Sequence, residues 1–468
     1  MSFFKKNSTI LVLILSIICY FFFAYFLERT QFYMVSFLWI ALFIGFYLLL
    51  KNKNSSFNTL IIVAILFRCI FIFATPNLSQ DFYRFIWDGR MLLNRFNPYL
   101  SLPESFMQLN LQPIAEASTL YDGMGKLNGS HYTNYPPLNQ LCFFIAALFA
   151  SKSIFGSIIV LRVLIIGADI GILYFGKKLL ERLNLPIRNI FWYLLNPFII
   201  IEMTGNLHFE PVMLFFLVWA LYKLHQQQCV FAAILIACSV SVKLIPLLFL
   251  PLFFQWFIYK DNKGIAIKSY EGQKKLLLSK SSLLKLAKLS LFYIIILTIT
   301  TLLFLPFYTP ELIGNYSSSV SLWFRDFEFN ASFYYIFREI GYLFSGYNEI
   351  SFIGRTTPIL TVLFLLYLTF FRRNKTFIQL ITAMLFGLCF YYFTATTVHP
   401  WYLATPLILC VFTNYKFPVI WSLVIILAYQ AYANNPWEEN LWFVFIEYLI
   451  VFSFFIYEIL NQLKMKKF

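Results

Sequence analysis

Two carboxylates and two guanidinium groups crowd into Ser79-Gln80-Asp81-Phe82-Tyr83-Arg84-Phe85-Ile86-Trp87-Asp88-Gly89-Arg90, and their spacing is helical. At 100° per residue, Asp81, Arg84, Asp88 and the later Arg95 fall within about 60° of one another, while Phe82, Ile86 and Leu93 take another side. Such a helix is expected to rest on a membrane surface, apolar side down, with its acids facing a cavity at headgroup level. An aspartate placed there can take the proton of a hydroxyl attacking an electrophilic carbon, assistance worth roughly 10²- to 10⁴-fold. Asp81 is the candidate general base, and Asp88 positions the attacking group or shares that role. The plainer alternative pairs both acids with Arg84, one helical turn from each.

If a phosphate leaves from that carbon, its charge needs cationic or N–H donors already in place. Arg84, Arg90, Lys243 and His399 are the candidates. Lys243, in Ser239-Val240-Ser241-Val242-Lys243-Leu244-Ile245-Pro246, interrupts a long apolar stretch. An intramembrane charge is costly enough to point to function; the alternative is a snorkelling lysine that ends a helix. Asn206, His208 and Glu210 break another apolar run in Gly205-Asn206-Leu207-His208-Phe209-Glu210, and His399-Pro400-Trp401-Tyr402 opens a third. With Tyr135, these are the candidates for holding an acceptor or a sugar ring, although Trp401 and Tyr402 by themselves fit an interfacial aromatic belt better. Asp169 and Arg162 share a face of one apolar run and are expected to pair structurally.

The elements that must position these residues are membrane helices. In 468 residues, 60% are hydrophobic, 21% aromatic and only 12% charged, with a mean hydropathy of +0.73, so the bilayer is the expected solvent. The net charge of +15 sits mostly in short loops between apolar runs and orients helices, so nucleic acid is not expected as a partner. Runs of about 20 apolar residues suggest about fourteen spans in an all-α polytopic transmembrane bundle. Placing the N-terminus in the cytoplasm puts about 24 of the 36 basic residues on the inner side and both termini with them. On that arrangement, Leu138 to Ala150 is a juxtamembrane or re-entrant helix on the outer face, and the long outer segments run from about 76 to 153 and from about 309 to 352. The lysine-rich stretch from Lys260 to Lys288 is expected to lie on the inner leaflet as an anchor. The simplest division is an N-terminal two-span hairpin (1–56), a core (57–415), and C-terminal spans with a basic tail (416–468).

Several other signals carry no chemistry. The seven cysteines have no metal or redox spacing and read as small buried hydrophobes. Four histidines without suitable partners make a zinc site unexpected, and no metal or other cofactor is called for. Gly171-Ile172-Leu173-Tyr174-Phe175-Gly176-Lys177-Lys178 has the outline of a phosphate loop but lacks the hydroxyl residue and the preceding strand. No dinucleotide fingerprint offers a site for a nucleotide-sugar donor.

Ser79 to Arg90, then Asn97-Pro98-Tyr99, Tyr135-Pro136-Pro137, Asn196-Pro197 and Gly205 to Glu210 together resemble bacterial polyprenol-phosphate-mannose mannosyltransferases of the GT-C superfamily. Lys243 with its proline and His399-Pro400-Trp401-Tyr402 are also similar to the catalytic subunit of glycosylphosphatidylinositol mannosyltransferase I, and the resemblance covers roughly 57 to 415. It implies a multi-pass plasma (inner) membrane enzyme with an acidic residue, here Asp81, in the first large outer loop. It further implies inverting transfer of a sugar, often mannose, from a polyprenyl-phosphate donor to a glycan or lipid acceptor on the non-cytoplasmic face. Two features depart from the family pattern: an extra two-span hairpin precedes the acid-bearing loop, and the acid stands in Gln80-Asp81-Phe82-Tyr83 without a second aspartate two residues on. Two competing readings share the same polar groups. A lipid-sugar flippase or transporter predicts related halves and a midplane site, and a polysaccharide polymerase or ligase predicts a far larger outer groove.

Overall fold

Helices long enough to cross a bilayer alternate with shorter, broken ones in this computed structural model, which describes residues 2–259, 280–325 and 327–465. Among these residues the regular structure is entirely helical apart from one isolated bridge between Phe329 and Thr397. The lysine-rich expectation for 260–279 and the tail lysines Lys466 and Lys467 lie outside the described residues.

Six described helices are long and apolar enough to span: Phe32–Lys51, Ile154–Arg182, Leu283–Phe307, Ile350–Phe370, Phe377–Thr394 and Leu441–Lys464. A seventh span is possible if Ile199–Gly205 and Glu210–His225, bent by 111°, count as one. The expected count of about fourteen is not confirmed by helix length among the described residues. Several apolar runs counted from composition form shorter helices, as at Cys229–Val240, Pro400–Val411 and Phe417–Ala433. Proline opens short helical segments at Pro246, Pro400 and Pro418, where the first-turn N–H has no helical acceptor and its loss costs nothing.

The helix Asp81–Leu93 does not lie on a membrane surface as its two-faced pattern suggests. Phe82, Arg84, Phe85, Ile86, Trp87, Asp88 and Arg90 are all buried, because the helices Ala117–Gly129 and Pro137–Ala150 pack against it. Gly89 permits the closest crossing: a Cβ there would stand 2.2 Å from the carbonyl oxygen of Phe143. Phe85 stacks on Phe143 at 4.7 Å, 7° from parallel, so apolar burial and ring geometry both fix the helix that begins with Asp81. Pro136 and Pro137 start the 14-residue helix Pro137–Ala150, and Leu138 N–H donates to Ser241 C=O at 2.8 Å, tying that start to the Lys243 turn.

Buried arginines satisfy the breaks. Arg68 pairs with Asp169 at 2.7 Å and also donates to Leu194 C=O. The expected Asp169–Arg162 pair is thereby overturned: two helical turns set these residues about 10 Å apart along the axis, and Arg162 is used elsewhere. It donates to the carbonyls of Ile72, Thr204 and Gly205 at 2.8–2.9 Å, satisfying the end of the widened turn Ile199–Gly205. The chain then turns sharply, with Leu207 at φ 63°.

Contacts cross both expected segment boundaries. Trp39 Nε1 donates to Leu423 C=O, Asn77 Nδ2 to the carbonyls of Phe23 and Leu27, and Arg29 Nη2 to Gln80 Oε1. The Arg29 guanidinium lies over Tyr432 at 5.1 Å.

Candidate active site

The two breaks, at Leu207 and at Lys243, and the start of the Asp81 helix open on one chamber of about 560 Å³. This is within the roughly 300–1,000 Å³ of small-molecule sites. Of the eleven residues the sequence singles out, Asp81, Arg84, Tyr135, His208, Glu210, Lys243, His399 and Trp401 line it. They come from segments separated by hundreds of residues.

Asp81 occupies the first position of its helix, where the positive end of the macrodipole favours a carboxylate. Asn128 Nδ2 donates to Asp81 Oδ1 at 3.2 Å, and the aspartate's own N–H donates to Ser79 Oγ. Enclosure by protein pushes the Asp81 carboxyl above the ordinary carboxylate value, against the opposing pull of the Asn128 hydrogen bond and the Lys243 cation. A carboxylate held in this way is a stronger proton acceptor than one in water.

Lys243 and Glu210 form an ion pair within the chamber, through Nζ and Oε1. Arg29, not foreseen from the sequence, adds a cation whose hydrogen bond goes to the neutral Gln80 amide. On another wall, the indole of Trp401 is sandwiched between two imidazoles. His208 stacks at 4.1 Å and 18°, and His399 at 4.5 Å and 6°. Burial and then the Lys243 charge push the His399 imidazole down to about 3, so it is neutral at physiological pH. His131, also on the wall, is pushed down to about 4 by burial and then by Arg84, and its Nδ1 is within hydrogen-bond distance of Tyr132 C=O at 2.7 Å. Tyr402 lines the chamber with Trp401, so these two rings face the cavity and not a lipid belt.

Three singled-out residues are placed elsewhere. Asp88 is fully buried, with Oδ1 accepting from Arg84 Nε and Oδ2 from Gln140 Nε2, both at 2.9 Å. It does not line the chamber and holds Arg84 in place. Arg90 faces away, donating to the carbonyls of Ala115 and Lys152 and to Glu116. Asn206 accepts from Leu78 N–H at 3.0 Å and donates to Ile201 C=O at 3.2 Å, so it pins the strand of chain leading to Asp81. In all three cases the spacing places a polar group on an inner face, but a partner on a distant segment consumes it.

Other wall residues carry little sequence signal. Arg29, Asn128, Asn139, Tyr391, Tyr392, Tyr432 and Trp437 stand in ordinary apolar or loop contexts, and only the tertiary fold brings them together. Among the described residues, no group of three or more His, Cys, Asp and Glu side chains is arranged to hold a metal ion.

Comparison with known proteins places the chain among the mannosyltransferases, and its long apolar helices mark it as a membrane protein. Residues 18–259 match the model of the MptA_B family, described as the alpha-(1->6)-mannopyranosyltransferase N-terminal domain, and the chain belongs to that family. No curated protein matches it.

Proposed function

We propose that the protein transfers a mannosyl group from a polyprenyl-phosphate donor to an acceptor hydroxyl, with inversion, in the chamber at Asp81. The observation that carries this reading is the Asp81 carboxylate, raised in basicity, in one chamber with the cations Arg29, Arg84 and Lys243 and a cluster of aromatic side chains. The family description supports mannose and a 1→6 linkage, which makes a primary sugar hydroxyl the acceptor.

In the reaction, the acceptor oxygen bonds to the anomeric carbon as its proton passes to Asp81. The bond from that carbon to the phosphate oxygen breaks, and polyprenyl phosphate leaves. A phosphodiester monoanion becomes a phosphomonoester with added charge, so donors that bind the developing oxyanion lower the barrier. Arg29, which donates to the neutral Gln80 amide and lies over Tyr432, and Lys243 with its Glu210 partner supply that stabilisation. Trp401, its faces covered by His208 and His399, is held rigid in the chamber wall and contributes shape, not a stacking face. We further assign the chamber to the non-cytoplasmic side of the plasma membrane and both termini to the cytoplasm, following the basic bias of the connecting segments.

The test supplies the lipid-reconstituted protein with radiolabelled polyprenyl-phosphate mannose and mannoside acceptors. Asp81→Asn should lower turnover by roughly 10²- to 10⁴-fold; full activity would remove the base assignment. Transbilayer movement of the lipid without transfer would replace the reading with a flippase. In a background without the seven cysteines, Ser130→Cys should label from outside and Lys53→Cys from inside.

A further inference from the structure

Among the described residues that line the chamber, Arg84 and Glu210 each leave one buried polar atom unpaired, but Asn139 leaves two. Asn139 is fully buried, yet it lines the cavity, and neither Oδ1 nor Nδ2 has a hydrogen-bond partner among the described residues. Its position is rigidly set. The preceding residue donates to Ser241 C=O at 2.8 Å, and the following one, Gln140, is locked to Asp88 and Thr133 at 2.9 Å. A buried amide without protein partners costs stability unless water or a ligand completes it, and in a substrate-sized chamber a bound ligand takes the place of that water.

We infer that Asn139 is a carbohydrate-binding residue that reads a pair of adjacent hydroxyls on a pyranose ring. A primary amide presents one acceptor and one donor side by side. A vicinal diol matches it, with one hydroxyl donating to Oδ1 and its neighbour accepting from Nδ2. A phosphate cannot satisfy both atoms, because the ionised group offers acceptors only. An alkyl chain satisfies neither. Asn139 therefore selects for the hydroxyl pattern of a sugar, whether donor or acceptor, and leaves the phosphate to the cations. This assignment rests on the sugar-transfer reading and adds a residue that reads stereochemistry.

The experiment measures equilibrium binding of short-chain polyprenyl-phosphate mannose, of methyl mannoside and of their 2-, 3- and 4-deoxy forms. The protein is reconstituted full-length wild type, Asn139→Leu and Asn139→Asp, with turnover recorded in parallel. Loss of a hydrogen bond to a buried polar group should weaken wild-type binding roughly tenfold when either hydroxyl of one adjacent pair is missing. Asn139→Leu should bind the intact sugar at least that much more weakly and no longer distinguish it from those two deoxy forms. Asn139→Asp, which keeps acceptors but loses the donor, should lose discrimination at one hydroxyl only. Coupling seen with the lipid-linked series assigns the diol to the donor; coupling with the methyl glycosides assigns it to the acceptor. The melting midpoint of ligand-free Asn139→Leu should match or exceed that of wild type, because no internal bond is lost. Identical deoxy discrimination in wild type and Asn139→Leu, or a lowered midpoint, overturns the inference. Coupled binding without transfer overturns the proposed reaction and leaves the assignment of Asn139 standing.

Discussion

Replacing Asp88 by leucine separates a catalytic acid from one that holds the fold, and the structure sets the size of the effect. The side chain is fully buried and accepts from Arg84 and Gln140, each at 2.9 Å. Removing one partner of a buried pair costs about 3–5 kcal/mol, because the remaining charge is stranded. Arg84 keeps acceptors in the carbonyls of Asn128 and His131, which argues for the lower end, about 3 kcal/mol, or roughly a hundredfold in the folding equilibrium. The Arg84→Met/Asp88→Leu double variant removes both charges and should recover most of that loss. Unfolding in mixed detergent micelles, followed by circular dichroism, reads all three variants against wild type. An Asp88→Leu protein with undiminished stability and abolished turnover would refute the positioning role and return Asp88 to the chemistry.

Gly89→Ala places a methyl group 2.2 Å from the Phe143 carbonyl oxygen, a backbone atom that cannot rotate away. The Asp81 helix must then shift, so we expect a stability loss of about 1–3 kcal/mol in the same unfolding assay, accompanied by weakened donor binding. Glu439, in the loop before the last helix, accepts from Tyr335 Oη and Asn330 N–H, and burial pushes its carboxyl up from 4.5 to about 7. The unfolded chain therefore releases this proton first, and stability falls as pH rises from about 4.5 through 7 and then levels off. Glu439→Gln, which cannot ionise, should flatten that slope in melting midpoints recorded from pH 4.5 to 8; an unchanged slope would count against the assignment.

The local grammar of the site is legible in the sequence because it is written in short-range periodicity. The Arg84–Asp88 pair is the simple four-residue spacing of a helix, and the paired prolines announce the helix that begins at Pro137. Lys243, Glu210 and His399 stand out because a charge or imidazole among apolar residues is costly unless the fold uses it. What spacing cannot supply is the long-range partner. Asp169 meets Arg68, not the Arg162 on its own helix, and Arg162 finds three carbonyls at a break no periodicity reveals. The span count goes unconfirmed for a related reason, since composition registers an apolar run but not the length or bend of the helix it forms. Asn139 is invisible in sequence because an asparagine becomes conspicuous only when all its neighbours decline to bond with it.

The cation–π contact between Arg29 and Tyr432 joins the loop before the helix Phe32–Lys51 to a ring beyond the helix Phe417–Val424. During synthesis, then, the acid and its surrounding helices emerge from the ribosome long before the ring that covers the early arginine. A nascent chain halted short of residue 432 would carry an aspartate, a lysine and a guanidinium in a compartment that still lacks the Tyr432 and Trp437 walls. Truncation before residue 432 should therefore yield a protein that inserts but does not transfer.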